Sequence, residues 1–150
     1  VYSISKKGLE FIGEFEGFRG KAYLCPAGYP TIGFGHVIKD NEYLTILTEE
    51  EALLLLKKDL KYIEAILNKL IKVNLSETQY IALCSLAYNI GCGAFQRSSL
   101  RQKVNREEFE EVPLEFLKWV RVRGRILPGL VKRRIAEAEL FSSKIDSFIY

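Results

Sequence analysis

Glu16, Cys25, Thr31 and His36 place a carboxyl, a thiol, a hydroxyl and the chain's only imidazole in one short stretch. A carboxyl can hand a proton to a leaving oxygen, and a thiol or hydroxyl can hold, activate or replace an attacking water. That set suits hydrolysis. A Cys–His pair would suit a nucleophilic hydrolase instead, although no Asn or Asp stands out to orient the imidazole. With one histidine, a metal site built on histidines is excluded, and no Asp/Glu cluster stands out as a carboxylate site. No metal and no cofactor are expected. Gly33 and Gly35 lack the lysine and the following helix that a phosphate-cradling loop requires.

These groups need a frame. Ile4, Leu9, Ile12 and Phe15 recur at helical spacing, Ser5 can cap and Gly17 supplies a stop. The spacing predicts a helix from about Ser5 to Glu16, with Glu16 in its last turn. From Gly17 to Asn41 the chain is rich in glycine, tyrosine and threonine, with Pro26 and Pro30. That composition favours a small antiparallel sheet with turns at Ala27-Gly28 and near Asp40-Asn41. Thr31 to Val37 reads as one of its strands, where the plain role of Thr31 is sheet packing.

Helix signals dominate the remainder. Thr48 and Glu51 form a capping box before a helix reaching about Leu70, and Ser76 and Gln79 repeat the device. The second helix carries Ala82, Leu83, Leu86 and Ile90 on one stripe and is expected to end at Gly91 and Gly93. Shorter helices are expected at about 96–103 and 106–111, then one begun or interrupted by Pro113 that contains Trp119. A last helix spans about Leu130 to Phe141. The fold class is α+β: a single domain over residues 1–150, with a small lobe at about 15–60 carrying the sheet. A larger helical lobe at about 61–150 has the first helix packed on it.

Composition bounds the rest. The chain has 150 residues, 48% hydrophobic and 27% charged, which is a globular balance rather than a disordered one. Its longest aliphatic run, Ala52 to Leu56, is far short of the roughly 20 apolar residues that cross a membrane. Cys25, Cys84 and Cys92 are too sparse for a disulfide framework. Residues 97–134 hold eleven basic and five acidic residues, a net +6. Such a segment draws any polyanion and by itself selects none. Lys118 to Arg125 alternates basic with apolar residues, as a nucleic-acid patch or a solvated strand-like or helical face would; no nucleic-acid motif accompanies it. Trp119 reads as a core anchor. The chain starts at Val1 and contains no methionine, so N-terminal residues are expected to be missing, with room for a leader.

The stretch from Glu16 resembles the active-site signature of the phage-type lysozymes, the endolysin muramidases that include T4 and lambdoid phage enzymes. That pattern is Glu, eight residues, Asp or Cys, five residues, Thr, and Glu16, Cys25 and Thr31 fit it. Glu16-Gly17-Phe18-Arg19, Ala22 to Gly28 and Thr31 to His36 fit around it. Gln79-Tyr80-x-Ala82-Leu83 with Ala87 to Gly91 resembles the family's central helix. Gly129-Leu130-Val131-x-Arg133-Arg134-x-x-Glu137 resembles its C-terminal helix.

The resemblance implies hydrolysis of the β-1,4 bond between N-acetylmuramic acid and N-acetylglucosamine in peptidoglycan, in a cleft between the two lobes. It carries Glu16 over as general acid, with Cys25 and Thr31 positioning or activating water, and Tyr23, Gly35 and His36 as substrate-binding or supporting residues. In the family the histidine is chiefly structural. Cys25 replaces the carboxylate usual in glycosidases, so two routes stay open: inversion through an activated water, or a thiolate that attacks directly. A protein of the same fold with weakened catalysis, binding peptidoglycan or disrupting membranes, is the alternative. The implied partner is peptidoglycan, with transient inner-membrane association through the missing N-terminal segment, no nucleic acid, and action as a monomer. The enzyme would be made in the bacterial host cytoplasm and act in the periplasm or cell wall. Of Arg133 and Arg134, one is expected to brace the helical lobe and the other to face solvent.

Overall fold

The Ser5 hydroxyl accepts the Gly8 N–H and opens helix α1 (Lys6–Glu16) in the computed structural model, which describes residues 2–143. Gly17, at φ 77°, closes α1 with its N–H on the Gly13 carbonyl. A residue with a side chain would be strained there. Ile12 and Leu9 face inward from α1, and Gly13 lies against the Phe34 ring, where a Cβ would come within 3.2 Å.

The sheet follows as β1 (Arg19–Leu24), β2 (Pro30–Gly33) and β3 (His36–Val37), antiparallel in the order β1-β2-β3. Thr31 pairs with Tyr23 on one side and Val37 on the other, and Ile32 pairs with His36. The expected single strand from Thr31 to Val37 is therefore a hairpin. Gly33 and Gly35 have φ of 69° and 86°, so they reverse the chain instead of extending it. Leu47 N–H to Gly20 O and Ala22 N–H to Thr45 O hold the loop after β3 along the other edge of β1.

Helix α2 (Glu49–Leu70) is opened by the reciprocal Thr48–Glu51 capping box. Its Ala52 packs on Gly33, and a side chain at Gly33 would meet Ala52 Cβ at 3.3 Å. Residues 4–62 form one compact unit, made of α1, the sheet and the first part of α2. α1 thus belongs to the same unit as the sheet, on which it packs through Gly13 and Phe34.

The second unit contains residues 2–3 and 63–143. Its axis is α3 (Glu77–Ile90), capped by the Ser76–Gln79 box and buried continuously from Tyr80 to Ala87. Gly91 ends α3, but Gly93 lies inside the next helix, α4 (Cys92–Arg97). Then come α5 (Ser99–Asn105), α6 (Val112–Phe116), β4 (Arg121–Val122), β5 (Arg125–Ile126) and α7 (Pro128–Ser142). The helix expected at 106–111 is a set of turns, with Glu107 at φ 58°. Pro113 lies in the first turn of α6, which stops before Trp119, and Pro128 sits in the first turn of α7 rather than ahead of it. Trp119 is half-buried rather than a core residue.

α7 packs on α3 and α6. Between α3 and α7 lies a polar core. Glu137 is fully buried and receives Arg133 Nε at 3.2 Å, Arg134 Nη1 and the Ser85 hydroxyl. Arg134 also donates Nε to the Trp119 carbonyl at 2.8 Å and Nη2 to the Asn89 amide oxygen. Both arginines are buried, at 4% and 0% exposure. The expectation that one would face solvent fails, because the spacings to Glu137 are i,i+4 and i,i+3 and both place a guanidinium on the same inward face.

Candidate active site

Glu16 is the last residue of α1, half-buried, one turn beyond the Gly13–Phe34 contact. The Phe34 ring also meets Phe18, with centroids 5.6 Å apart. Glycine at 13 lets the helix end approach the β2–β3 turn closely, and Phe34 fills the space beneath it. This fixes where Glu16 leaves the helix.

The β1–β2 loop shapes the surroundings of Cys25. Its N–H donates to the Tyr29 carbonyl at 2.9 Å, its carbonyl accepts the Gly28 N–H at 2.8 Å, and Gly28 turns the chain at φ 87°. Leu24 and Pro30 close the loop as a strand pair. The thiol is drawn below its ordinary value of 9.0, chiefly by the Tyr29 N–H, against partial burial. The Ala27 N–H, the Thr31 hydroxyl and the Gly28 N–H add to the effect. Thr31 Oγ1 donates to the Tyr29 carbonyl at 2.9 Å. Its one proton can turn to the sulfur when the thiolate forms. The other two cysteines go the opposite way: burial pushes the Cys84 and Cys92 thiols up. Of the three cysteines, Cys25 alone has its thiol shifted toward the charged form.

Tyr23, the cross-strand partner of Thr31, shares its face of the sheet and carries the Arg19 guanidinium 4.2 Å from its ring centroid. Gly35 lies in the β2–β3 turn. The structure therefore brings Cys25, Thr31 and Tyr23 together through the β1–β2 loop and its register, with Glu16 in the same unit.

His36 is placed differently. It is buried, and both ring nitrogens are occupied: Nδ1 faces Asp59 Oδ2 at 2.8 Å and Nε2 faces Glu42 Oε1 at 2.9 Å. It ties β3 to the following loop and to α2, and no nitrogen is left for substrate or for Cys25. Burial alone would lower its pKa, but hydrogen bonds to Glu42 and Asp59 outweigh that and raise it above 6.5. Glu42 is held below its usual 4.5, first by the Lys39 N–H and then by His36. Among the described residues no group of His, Cys, Asp and Glu is arranged to hold a metal ion, and no helix is long and apolar enough to cross a membrane.

The His36 clamp has a pH signature. A raised imidazole contributes stability in full below 6.5 and loses it as pH climbs through the folded value; Glu42 contributes above 4.5 and loses its share as pH falls through its lowered value. His36→Gln should cost about 3 kcal/mol in the window between these values. The gap to the wild type should narrow as pH rises beyond it. Urea denaturation of both proteins across that range measures the gap, and a gap constant with pH would exclude the charged clamp.

The phage lysozyme family model matches residues 13–137, which include Glu16, Cys25 and Thr31. The chain belongs to the phage lysozyme family. An endolysin of Acyrthosiphon pisum secondary endosymbiont phage 1 is 45% identical over 144 residues, covering 93% of this chain and 98% of that protein. The endolysin of Bacillus phage B103 is 41% identical over 93% of this chain, which spans 54% of that relative's length. A solved P22 lysozyme matches with a TM-score of 0.87 at 35% identity, over 95% of this chain and 100% of that one. The small N-terminal sheet lobe and larger helical C-terminal lobe expected from the sequence are thus the architecture found.

Two residues of the site's frame escaped sequence reasoning. Asp59 stands 23 positions from His36 and Glu42 stands six, and neither spacing is a local signature. Glu42 had one readable cue, its place three residues after Lys39, whose N–H it accepts at 2.8 Å.

Proposed function

We propose that this lysozyme-family chain hydrolyses the β-1,4 bond between N-acetylmuramic acid and N-acetylglucosamine in bacterial peptidoglycan and so lyses cells. Glu16 protonates the leaving oxygen. On the opposite face of the sugar, Cys25 as thiolate and Thr31 orient and activate the water that attacks the anomeric carbon. The observation that carries this reading is the loop that sets backbone N–H groups and the Thr31 hydroxyl around the Cys25 sulfur. A neutral thiol is a weak base, and this setting favours the charged form that can take a water proton. The endolysin relatives support synthesis in a bacterial host and action at its wall.

The test is a digest of purified peptidoglycan, reduced with borohydride and analysed by mass spectrometry. New reducing ends on muramic acid are expected, and their absence with the active wild type would refute the assignment. Anomeric analysis of early products should show inversion; retention would mean that Cys25 attacks directly.

Cys25→Ala should lower kcat/KM by about 10²-fold or more, the scale of a lost general base. Cys25→Asp should stay within about tenfold of the wild type, because a carboxylate accepts the same proton. In the wild type, activity should rise with pH as the thiolate forms, with its midpoint below 9.0. In Cys25→Asp that limb should move to acid pH. An unmoved limb would show that the thiol does not set it.

A further inference from the structure

Among the described residues of the second unit, the β4–β5 ribbon lies in the longest run of exposed positions. Every residue from Arg121 to Gly129 is exposed. Arg121 pairs with Ile126 and Val122 pairs with Arg125, around an Arg123-Gly124 turn with φ of 52° and 80°. Cross-strand partners share a face, so each face of the ribbon carries one arginine and one aliphatic side chain. Val122 is 48% exposed and Ile126 54%, so each leaves about half of its aliphatic surface open to solvent. The ribbon is rooted instead by the Leu127 N–H on the Val120 carbonyl and by Arg134 on the Trp119 carbonyl. None of Arg121, Arg123 and Arg125 is bonded to a carboxylate among the described residues, whereas Lys118 just before them is paired with Glu115 at 2.8 Å.

We propose that this ribbon is a docking tongue for an anionic lipid bilayer, with its three arginines on headgroup phosphates and Val122 and Ile126 in the interfacial layer. Charge complementarity supplies the attraction: among the described residues the three guanidiniums meet no carboxylate, and no acidic residue lies between them in the chain. The aliphatics identify the occupant. A soluble polyanion, whether nucleic acid or wall polymer, offers phosphates but no apolar layer. Positions 121–127 also hold no aromatic, amide or hydroxyl side chain with which to read bases or sugars. Arginine alternating with aliphatics on a narrow projecting ribbon fits the boundary between headgroups and acyl chains. The assignment stands apart from the glycosidase reading and uses none of its residues.

The test is cosedimentation of the whole chain with vesicles of phosphatidylglycerol and phosphatidylethanolamine, against vesicles of phosphatidylcholine alone. The wild type should bind the anionic vesicles and not the neutral ones. Arg121→Gln, Arg123→Gln and Arg125→Gln together should weaken binding by about 10²-fold, roughly fivefold for each charge. Val122→Ser with Ile126→Ser keeps every charge and should still lose about tenfold. That pair should bind soluble polyphosphate as the wild type does, and thermal melts should match for all three proteins. Several outcomes overturn the tongue: no binding to anionic vesicles by the wild type, binding that survives both sets of changes, or a serine pair that binds vesicles like the wild type. Slowed digestion of lipid-free peptidoglycan by the variants, with vesicle binding intact, would assign the ribbon to the wall instead.

Discussion

Glu16→Gln should lower peptidoglycan hydrolysis by about 10²–10⁴-fold while the protein still folds. The size follows from the job: without a proton donor the sugar oxygen must leave as an alkoxide, and general acid catalysis contributes about 10²–10⁴ in rate. The folding half of the expectation comes from shape. Gln is isosteric with Glu at the last position of α1, so the variant should still fold and melt cooperatively. Lost activity in a protein that still folds marks a residue kept for chemistry. Turnover on purified peptidoglycan together with a thermal melt checks both halves. A variant that keeps more than about a tenth of wild-type turnover would remove Glu16 from the role of acid.

The parts of this chain that were readable from sequence are those whose partners lie within one helical turn. Ser5 before α1, Thr48 with Glu51 before α2 and Ser76 with Gln79 before α3 each satisfy an orphan N–H three residues away. The spacing of the candidate site residues was legible for a related reason. Glu16 to Thr31 runs through one helix end and one hairpin, so separation along the chain translates directly into separation in space. Reading failed where a residue's backbone angle or a distant partner decides. Gly33 and Gly35 permit an extended strand as readily as a turn, and Ala52 on α2 together with the Ile32–His36 pairing makes the choice. The thiolate setting of Cys25 depends on N–H groups that every residue owns, and it appears only once Gly28 bends the loop around the sulfur. The placement of His36 depends on Asp59, which nothing near the histidine announces.

The arginine pair follows the same rule. The i,i+3 and i,i+4 spacings to Glu137 were visible in the sequence, but two buried guanidiniums on one carboxylate need more acceptors than that carboxylate offers. Ser85 and Asn89 on α3 and the carbonyl of Trp119 supply them. Glu137→Ala should therefore cost about 3–5 kcal/mol, because it leaves two buried cations facing a cavity with their carboxylate gone. That is a large share of the roughly 5–15 kcal/mol that holds an ordinary domain together, and it should lower Tm by roughly 10 °C. The loss belongs to stranded charge rather than to the worth of the ion pairs. Replacing Arg133, Arg134 and Glu137 together by methionine removes all three charges while filling similar volume, and should cost less than the single alanine. Urea titrations of the two variants separate the ideas. A triple variant less stable than Glu137→Ala would mean that the hydrogen bonds to Ser85, Asn89 and Trp119, rather than charge balance, hold α7 on α3.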